Sequence, residues 1–342
     1  MLHPPDDERR VAASECGGGV TTSEAELRLL LATDGSRGSA VAADYAFALA
    51  RSWGASLSLM NVLECPPGLD PQNPVNQLYL TELMKQATTE LTTLKARAVN
   101  RGISAHTRIA TGIPSEEVLA VATAEDPDLV IVGTRGKTGL AHVLLGSTAE
   151  RIIRGAPCPV LAARAQPYGE EQAVGNRRDP THLERILVPV DFSDCSLDAL
   201  EYAALVAQRS KASLTLLHVL EPISYGLDFT FPHKATRESI KADHTKRLSD
   251  IVSALASAGV SSEFQVSGGL PTDSILDAAR KQPADLVVMG THGRSGLSHA
   301  LFGSIAESVL RKSSCPVLMV RSPKFRSGHR HVVPGRSVPT SV

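Results

Sequence analysis

The chain repeats itself, and that repeat constrains the fold more than any other feature. Residues 128–164 read DLVIVGTRGKTGLAHVLLGSTAERIIRGAPCPVLAAR, and residues 285–321 read DLVVMGTHGRSGLSHALFGSIAESVLRKSSCPVLMVR. The two segments are identical at 20 of 37 positions, at an offset of 157 residues. The same offset carries Asp34 to Asp191, Val62 to Val219, Gly112 to Gly269 and Pro114 to Pro271. A whole half is therefore duplicated with no net insertion between its landmarks. A period this long marks two duplicated domains rather than a solenoid.

Each half has the same pattern. LRLLLAT (27–33) and ERILVPV (184–190) are continuous apolar runs, as strands buried on both faces require. Each leads through Asp and Ser into an Ala-rich helical stretch and then a second strand, ASLSLMNVLE or ASLTLLHVLE. A long polar-faced helix is expected near 76–101 and 234–258, and a short third strand near 103–110 and 260–267. The next helices open at TGIPSEEVLAVA and GGLPTDSILDAA, where Pro suits the first turn and Ser or Thr can cap. DLVIVG and DLVVMG are the fourth strands, PVLAAR and PVLMVR the fifth. Alternating strands and helices predict an α/β fold with parallel sheets. The expected domains span 25–165 and 183–323, joined by a linker at 166–182. The aperiodic, polar segments 1–24 and 324–342 read as disordered tails.

Composition excludes several function classes. Thirty-five basic and 36 acidic residues give a net charge of −1, and aromatics are 4% of the chain. A nucleic-acid binder needs a basic surplus and stacking platforms, so neither duplex nor single-strand binding is expected. No apolar run approaches ~18–20 residues, so no membrane span is expected, and the start of the chain does not read as a signal peptide. Five cysteines, an odd number in a long chain, fit a reducing, cytoplasmic setting better than a disulfide framework. Cys158 and Cys315 precede Pro at the start of the fifth strands and read as small buried apolar residues. Trp53 closes an amphipathic helix and reads as core or interface.

The chemistry concentrates after the fourth strand. Gly133 and Gly136 are followed by nine residues and then Gly146-Ser147. The second half has Gly290, Gly293, nine residues, and Gly303-Ser304. Glycines at a strand end permit φ > 0 and close approach to a ligand. Successive amides there can cup an anion, and the helix opening at Gly-Ser would offer its positive end to a phosphate. Two ligand-free tight turns would give the same pattern. Asp34 and Asp191 end the first strands, on the side where open α/β sheets bind ligands; a plain Asx turn is the other reading. Lys137 and Arg294 can each reach a phosphate or stay in solvent. Gly-Lys-Thr at 136–138 is not a phosphate-binding Walker loop, because the required first glycine would fall at Ile131. The eleven histidines are scattered without metal-ligand spacing, so no metal site is expected.

Together, Asp-x-Ser after the first strand, G-x2-G-x9-G-S after the fourth and Cys-Pro-Val opening the fifth resemble the universal stress protein family in its tandem form. The glycine spacing resembles that of the family's ATP-binding branch. The resemblance covers roughly 25–164 and 183–322. It implies two doubly wound domains of the adenine nucleotide alpha hydrolase-like fold, each with a five-stranded parallel sheet in the order 3-2-1-4-5. It also implies that Gly133, Gly136, Gly146 and Ser147 hold phosphates and ribose in the first half, and Gly290, Gly293, Gly303 and Ser304 in the second. Asp34 and Asp191 would face the adenosine or a divalent ion. Main-chain groups of Val62 and Val219 would contact adenine, and Ala32 and Pro189 would line the same pocket. The halves differ at Arg135 and Lys137 against His292 and Arg294. The implied ligand is ATP, with Mg²⁺ as a candidate companion.

Three functions remain open at this point: a nucleotide-binding regulatory module with slow or no hydrolysis, a slow ATPase or adenylyl-transfer enzyme, and a scaffold with vestigial pockets. No catalytic residue is assigned, because no evident base or arginine finger accompanies the phosphate-holding groups. The fifth strand is an edge in the 3-2-1-4-5 order, and PVLAAR and PVLMVR are too apolar to leave exposed. The fifth strands are therefore expected to meet across a pseudo-twofold axis within one chain. A further homodimer through other surfaces is compatible with this arrangement. No motif in the chain identifies a regulatory protein partner.

Overall fold

The computed structural model describes residues 27–64, 73–134, 145–164, 183–221, 234–293 and 303–321. The expected tails, the linker 166–182, and Arg135, Gly136, Lys137 and Arg294 lie outside the described residues. The first half runs β1 (Arg28–Thr33), α1 (Arg37–Trp53), β2 (Ser56–Leu63), α2 (Pro74–Val99), β3 (Ala105–Thr111), α3 (Pro114–Glu125), β4 (Leu129–Gly133), α4 (Ser147–Gly155) and β5 (Val160–Ala163). The second repeats it as β6 (Arg185–Pro189), α5 (Asp194–Ser210), β7 (Ser213–Leu220), α6 (Lys234–Ser257), β8 (Ser262–Gly268), α7 (Pro271–Lys281), β9 (Leu286–Gly290), α8 (Ser304–Lys312) and β10 (Val317–Val320).

The strands form one ten-stranded sheet in the order β3-β2-β1-β4-β5-β10-β9-β6-β7-β8. Each half thus has the 3-2-1-4-5 order, and its strands are parallel. Side chains alternate between two cores. Leu29, Leu31, Leu57, Leu59, Leu129 and Ile131 face α1 and α2, while Leu30, Met60, Val130 and Val132 face α3 and α4. This double burial is why the strands read as unbroken apolar runs. Ser36 and Ser193 cap α1 and α5, accepting from the amides of Ser39 at 3.2 Å and Ser196 at 3.3 Å. The capping expected at α3 and α7 is not seen. Pro114 and Pro271 open those helices after Ile113 and Leu270, with no side-chain cap bond; the fixed φ of proline suffices to start the turn.

The fifth strands meet as expected. β5 and β10 pair antiparallel, Val160 with Met319, Leu161 with Leu318 and Ala162 with Val317. Leu161 and Leu318 are equivalent positions, so the pseudo-twofold axis passes between them. The contacts flanking it are reciprocal. The Arg164 guanidinium donates to the carbonyls of Arg311 and Ser313 at 2.9 and 3.0 Å, and its equivalent Arg321 donates to the carbonyl of Arg154, the equivalent of Arg311, at 2.7 Å. α1 and α5 also touch, where the Ser52 hydroxyl donates to the carbonyl of its counterpart Arg209 at 2.9 Å. Tyr202 on α5 donates to the Asp128 carbonyl at 3.0 Å. Pairing the two edges satisfies backbone groups that an isolated half would expose. Trp53, Cys158 and Cys315 are buried, as expected.

Candidate functional site

The carboxyl ends of β1 and β4 lie side by side, with Ala32 paired to Val132. Just beyond β1 the Asp34 carboxylate accepts from the Ser36 amide at 3.0 Å. Gly35 between them has φ of 73°. This Asx turn delivers the chain to the Ser36 cap and into α1. Asp191 does the same, accepting from the Ser193 amide at 3.0 Å and its hydroxyl at 2.5 Å. In the first half Asp34 both shapes the turn and lines a cavity.

The described motif glycines do not use positive φ, contrary to the sequence reading; Gly133, Gly290 and Gly293 lie outside that region, and Gly146 and Gly303 have φ of −74° and −58°. Gly133 is required by packing. A Cβ there would lie 2.6 Å from the Gly38 carbonyl carbon and 2.8 Å from the Ser39 nitrogen, because the start of α1 crosses β4 at this point. At Gly290 it would lie 2.7 Å from the Cys195 sulfur and 2.9 Å from the Cys195 carbonyl oxygen. The Gly146 amide is also committed, donating to the Thr134 carbonyl at 2.8 Å, and Gly303 donates likewise to Thr291 at 2.9 Å. These bonds pin both ends of each long loop together, so that Gly133 and Gly146 become neighbours. Ser147, Thr148 and Ala149, which follow, supply first-turn amides of α4 that have no intrahelical acceptor.

A cavity of about 470 Å³ opens here. Ala32, Asp34, Val62, Gly133, Gly146 and Ser147 all line it, so the structure brings together every described first-half residue that the sequence singled out. Thr134 also lines it, with a hydroxyl that is buried and makes no hydrogen bond among the described residues. The opposite wall was not anticipated. Thr33, Asn61 and Glu64 from the β1 and β2 ends, and Tyr79, Gln86, Ala87 and Glu90 from α2, form much of it. The Thr33 hydroxyl donates to Glu90 at 3.1 Å. No motif marks α2. The signal that could have found it is comparison of the halves, since Asn61 corresponds to His218, Ala87 to His244 and Glu90 to Arg247.

In the second half Pro189 ends β6, Val219 lies in β7, Gly290 ends β9 and Ser304 opens α8. His292 bonds through Nδ1 to the Thr291 hydroxyl at 2.9 Å. A Cβ on Gly293 would meet the Asp191 carboxylate at 2.7 Å. Around the turn the two halves part company. Phe192, the counterpart of Gly35, keeps the left-handed conformation with φ of 64°. Its ring lies 4.9 Å from that of His218 and 5.3 Å from that of His244, and the Arg247 guanidinium sits over it at 4.0 Å. His218 Nδ1 is 2.7 Å from the Val190 carbonyl, and His218 Nε2 is 2.9 Å from His244 Nδ1. No cluster of three or more His, Cys, Asp or Glu positioned for a metal occurs among the described residues.

The family model for the universal stress protein family matches residues 27–164 and again 182–321. The chain belongs to the universal stress protein family. It carries two of the family's domains in tandem. A universal stress protein of Methanocaldococcus jannaschii is 35% identical over 142 residues, covering 41% of this chain and 84% of that protein. One from Mycolicibacterium smegmatis is 29% identical over 201 residues, covering 59% of this chain and 64% of its own length. Among solved structures, a universal stress protein from Archaeoglobus fulgidus superposes with a TM-score of 0.60 at 23% identity, over 86% of this chain and 98% of that one. That likeness establishes the shared fold of paired domains. No helix among the described residues is long and apolar enough to cross a membrane.

Proposed function

We propose that the protein is a nucleotide-binding regulatory module whose first-half pocket takes an adenine nucleotide, with ATP the leading ligand. The observation that carries this reading is the cavity itself, set at the carboxyl ends of β1 and β4 with the first turn of α4 opening onto it. A volume of about 470 Å³ suits a nucleotide-sized molecule. Phosphate would sit at the α4 amides with the Ser147 hydroxyl, as anions do at helix N-termini. Ala32 and Val62 offer apolar surface and main-chain groups for the base. Gly136 and Lys137, with Arg135, are assigned to the phosphate side by the family pattern. The equivalent positions in the second half are Pro189, Asp191, Val219, Gly290, His292, Gly293, Arg294, Gly303 and Ser304.

Asp34, Glu64 and Glu90 put three carboxylates on the cavity wall. A triphosphate would be repelled by that wall and held at the α4 end, and a divalent ion entering with the nucleotide would relieve the repulsion. Mg²⁺ commonly binds this way, through one or two carboxylates plus phosphates. The reading is of a sensor or switch in a cytoplasmic setting, with hydrolysis slow against the ~1–100 s⁻¹ of kinases. Mass spectrometry of ligand retained through purification tests it: adenine nucleotide supports the reading, and absence of binding at millimolar ATP refutes it.

A further inference from the structure

The two halves match in fold but not in what lies between the second strand and the long helix beside it. In the first half this region is an arm of the cavity, bounded by Asn61, Ala87 and Glu90. At the equivalent positions the second half has His218, His244 and Arg247, with Phe192 replacing Gly35. Three of these replacements put a ring where the first half has an amide, a methyl and a hydrogen. The rings hold one another. The Val190 carbonyl can only accept, which assigns the proton to His218 Nδ1; His218 Nε2 then accepts from His244 Nδ1. His218 thus uses both ring nitrogens inside the group, and Arg247 lies on the Phe192 face.

We infer that the halves are unequal receptors. The first half alone accepts a nucleotide whose nucleoside end enters the arm between β2 and α2. There a neutral, hydrogen-bond-donating group, a sugar hydroxyl or base amine, meets the Glu90 carboxylate and the Asn61 amide. In the second half the arm is filled by Phe192, His218 and His244. Glu90 is the specificity-determining residue, because its carboxylate accepts from donors and repels phosphate. Thr33 holds it in place at 3.1 Å, and Gly35 leaves room for it, since a Cβ there would lie 2.5 Å from a Glu90 oxygen. The Glu90-to-Arg247 exchange reverses the charge at one and the same structural position.

This inference rests on the adenine-nucleotide reading, and one titration separates the two. Calorimetric titration of the full chain with ATP should give one site per chain. Glu90→Arg should weaken that site at least about tenfold, the usual scale for losing a charge-assisted hydrogen bond, while Arg247→Glu should leave both count and affinity unchanged. Ala87→His should act like Glu90→Arg; if it fails to fold, the half-buried Glu90 position still decides. Two equal sites in the wild type would overturn the inequality while leaving the nucleotide reading intact. One site that keeps its affinity in Glu90→Arg, or one that is lost in Arg247→Glu, would also overturn it. No binding by the wild type would overturn both.

Discussion

Replacing Gly133 by Ala tests whether the glycine at the end of β4 is there for the ligand or for the fold. The added Cβ would sit 2.6 Å from the Gly38 carbonyl carbon and 2.8 Å from the Gly38 oxygen and the Ser39 nitrogen. Relieving this to an ordinary contact near 3.4 Å moves the start of α1 by roughly 0.8 Å away from a close-packed sheet, where overpacking costs about 1–3 kcal/mol. All the atoms struck are backbone, so the upper end of that range applies. At about 2–4 °C per kcal/mol for large domains, the midpoint of thermal unfolding should fall by roughly 5–10 °C. Gly146→Ala is the control. Its Cβ would meet only the Thr134 carbonyl oxygen, at 3.4 Å among the described residues, and its φ of −74° suits Ala. It should cost only about 1 kcal/mol as a poorer helix cap, yet weaken ATP binding because Gly146 lines the cavity. Differential scanning fluorimetry with and without ATP reads both effects. A Gly133→Ala protein that melts with the wild type would refute the packing account.

Four further outcomes are expected. In Gly290→Ala the first atom struck is the Cys195 sulfur at 2.7 Å, so adding Cys195→Ala should recover part of the lost stability; the first half has Gly38 at that place and no side chain to trim. Burial, with smaller contributions from Cys158 and Asp128, holds the Tyr202 hydroxyl well above its usual range. Its folded value exceeds its unfolded one, so the contribution is full below pH ~10 and lost as pH rises towards the folded value; Tyr202→Phe should reduce the alkaline loss of stability seen in urea melts. Either half expressed alone, 1–168 or 180–342, should dimerise or aggregate through its open fifth strand, and a monodisperse folded monomer by sedimentation would contradict the edge argument. ATP turnover should stay far below ~1–100 s⁻¹; a rate inside that range that disappears in Asp34→Ala would place the protein among enzymes.

Much of the architecture was legible because it follows from periodicity. Strands buried on both faces read as continuous apolar runs, and the 157-residue repeat fixed the equivalence of halves. The meeting of β5 and β10 followed from the liability of an apolar edge. The role of the glycines was legible only in part. Sequence marks Gly133 as a point of close approach, but not that the close neighbour is the backbone of α1 rather than a ligand, because Gly38 and Gly133 are brought together only by the βαβ crossover. The α2 wall was invisible for a similar reason. Glu90 is one carboxylate on a polar-faced helix, and only the crossover sets it against Gly35 and Thr33. The second-half cluster drew no notice because His218 and His244 are 26 residues apart, outside any local ligand spacing.

The most direct test of the central claim is native mass spectrometry of the full chain titrated with ATP, run beside Gly146→Ala. The account predicts a bound-nucleotide mass increment on the wild-type chain and its marked loss in the variant, with both proteins folded by circular dichroism. A wild-type chain that stays free of nucleotide at millimolar ATP, or a variant that binds as well as the wild type, would contradict it.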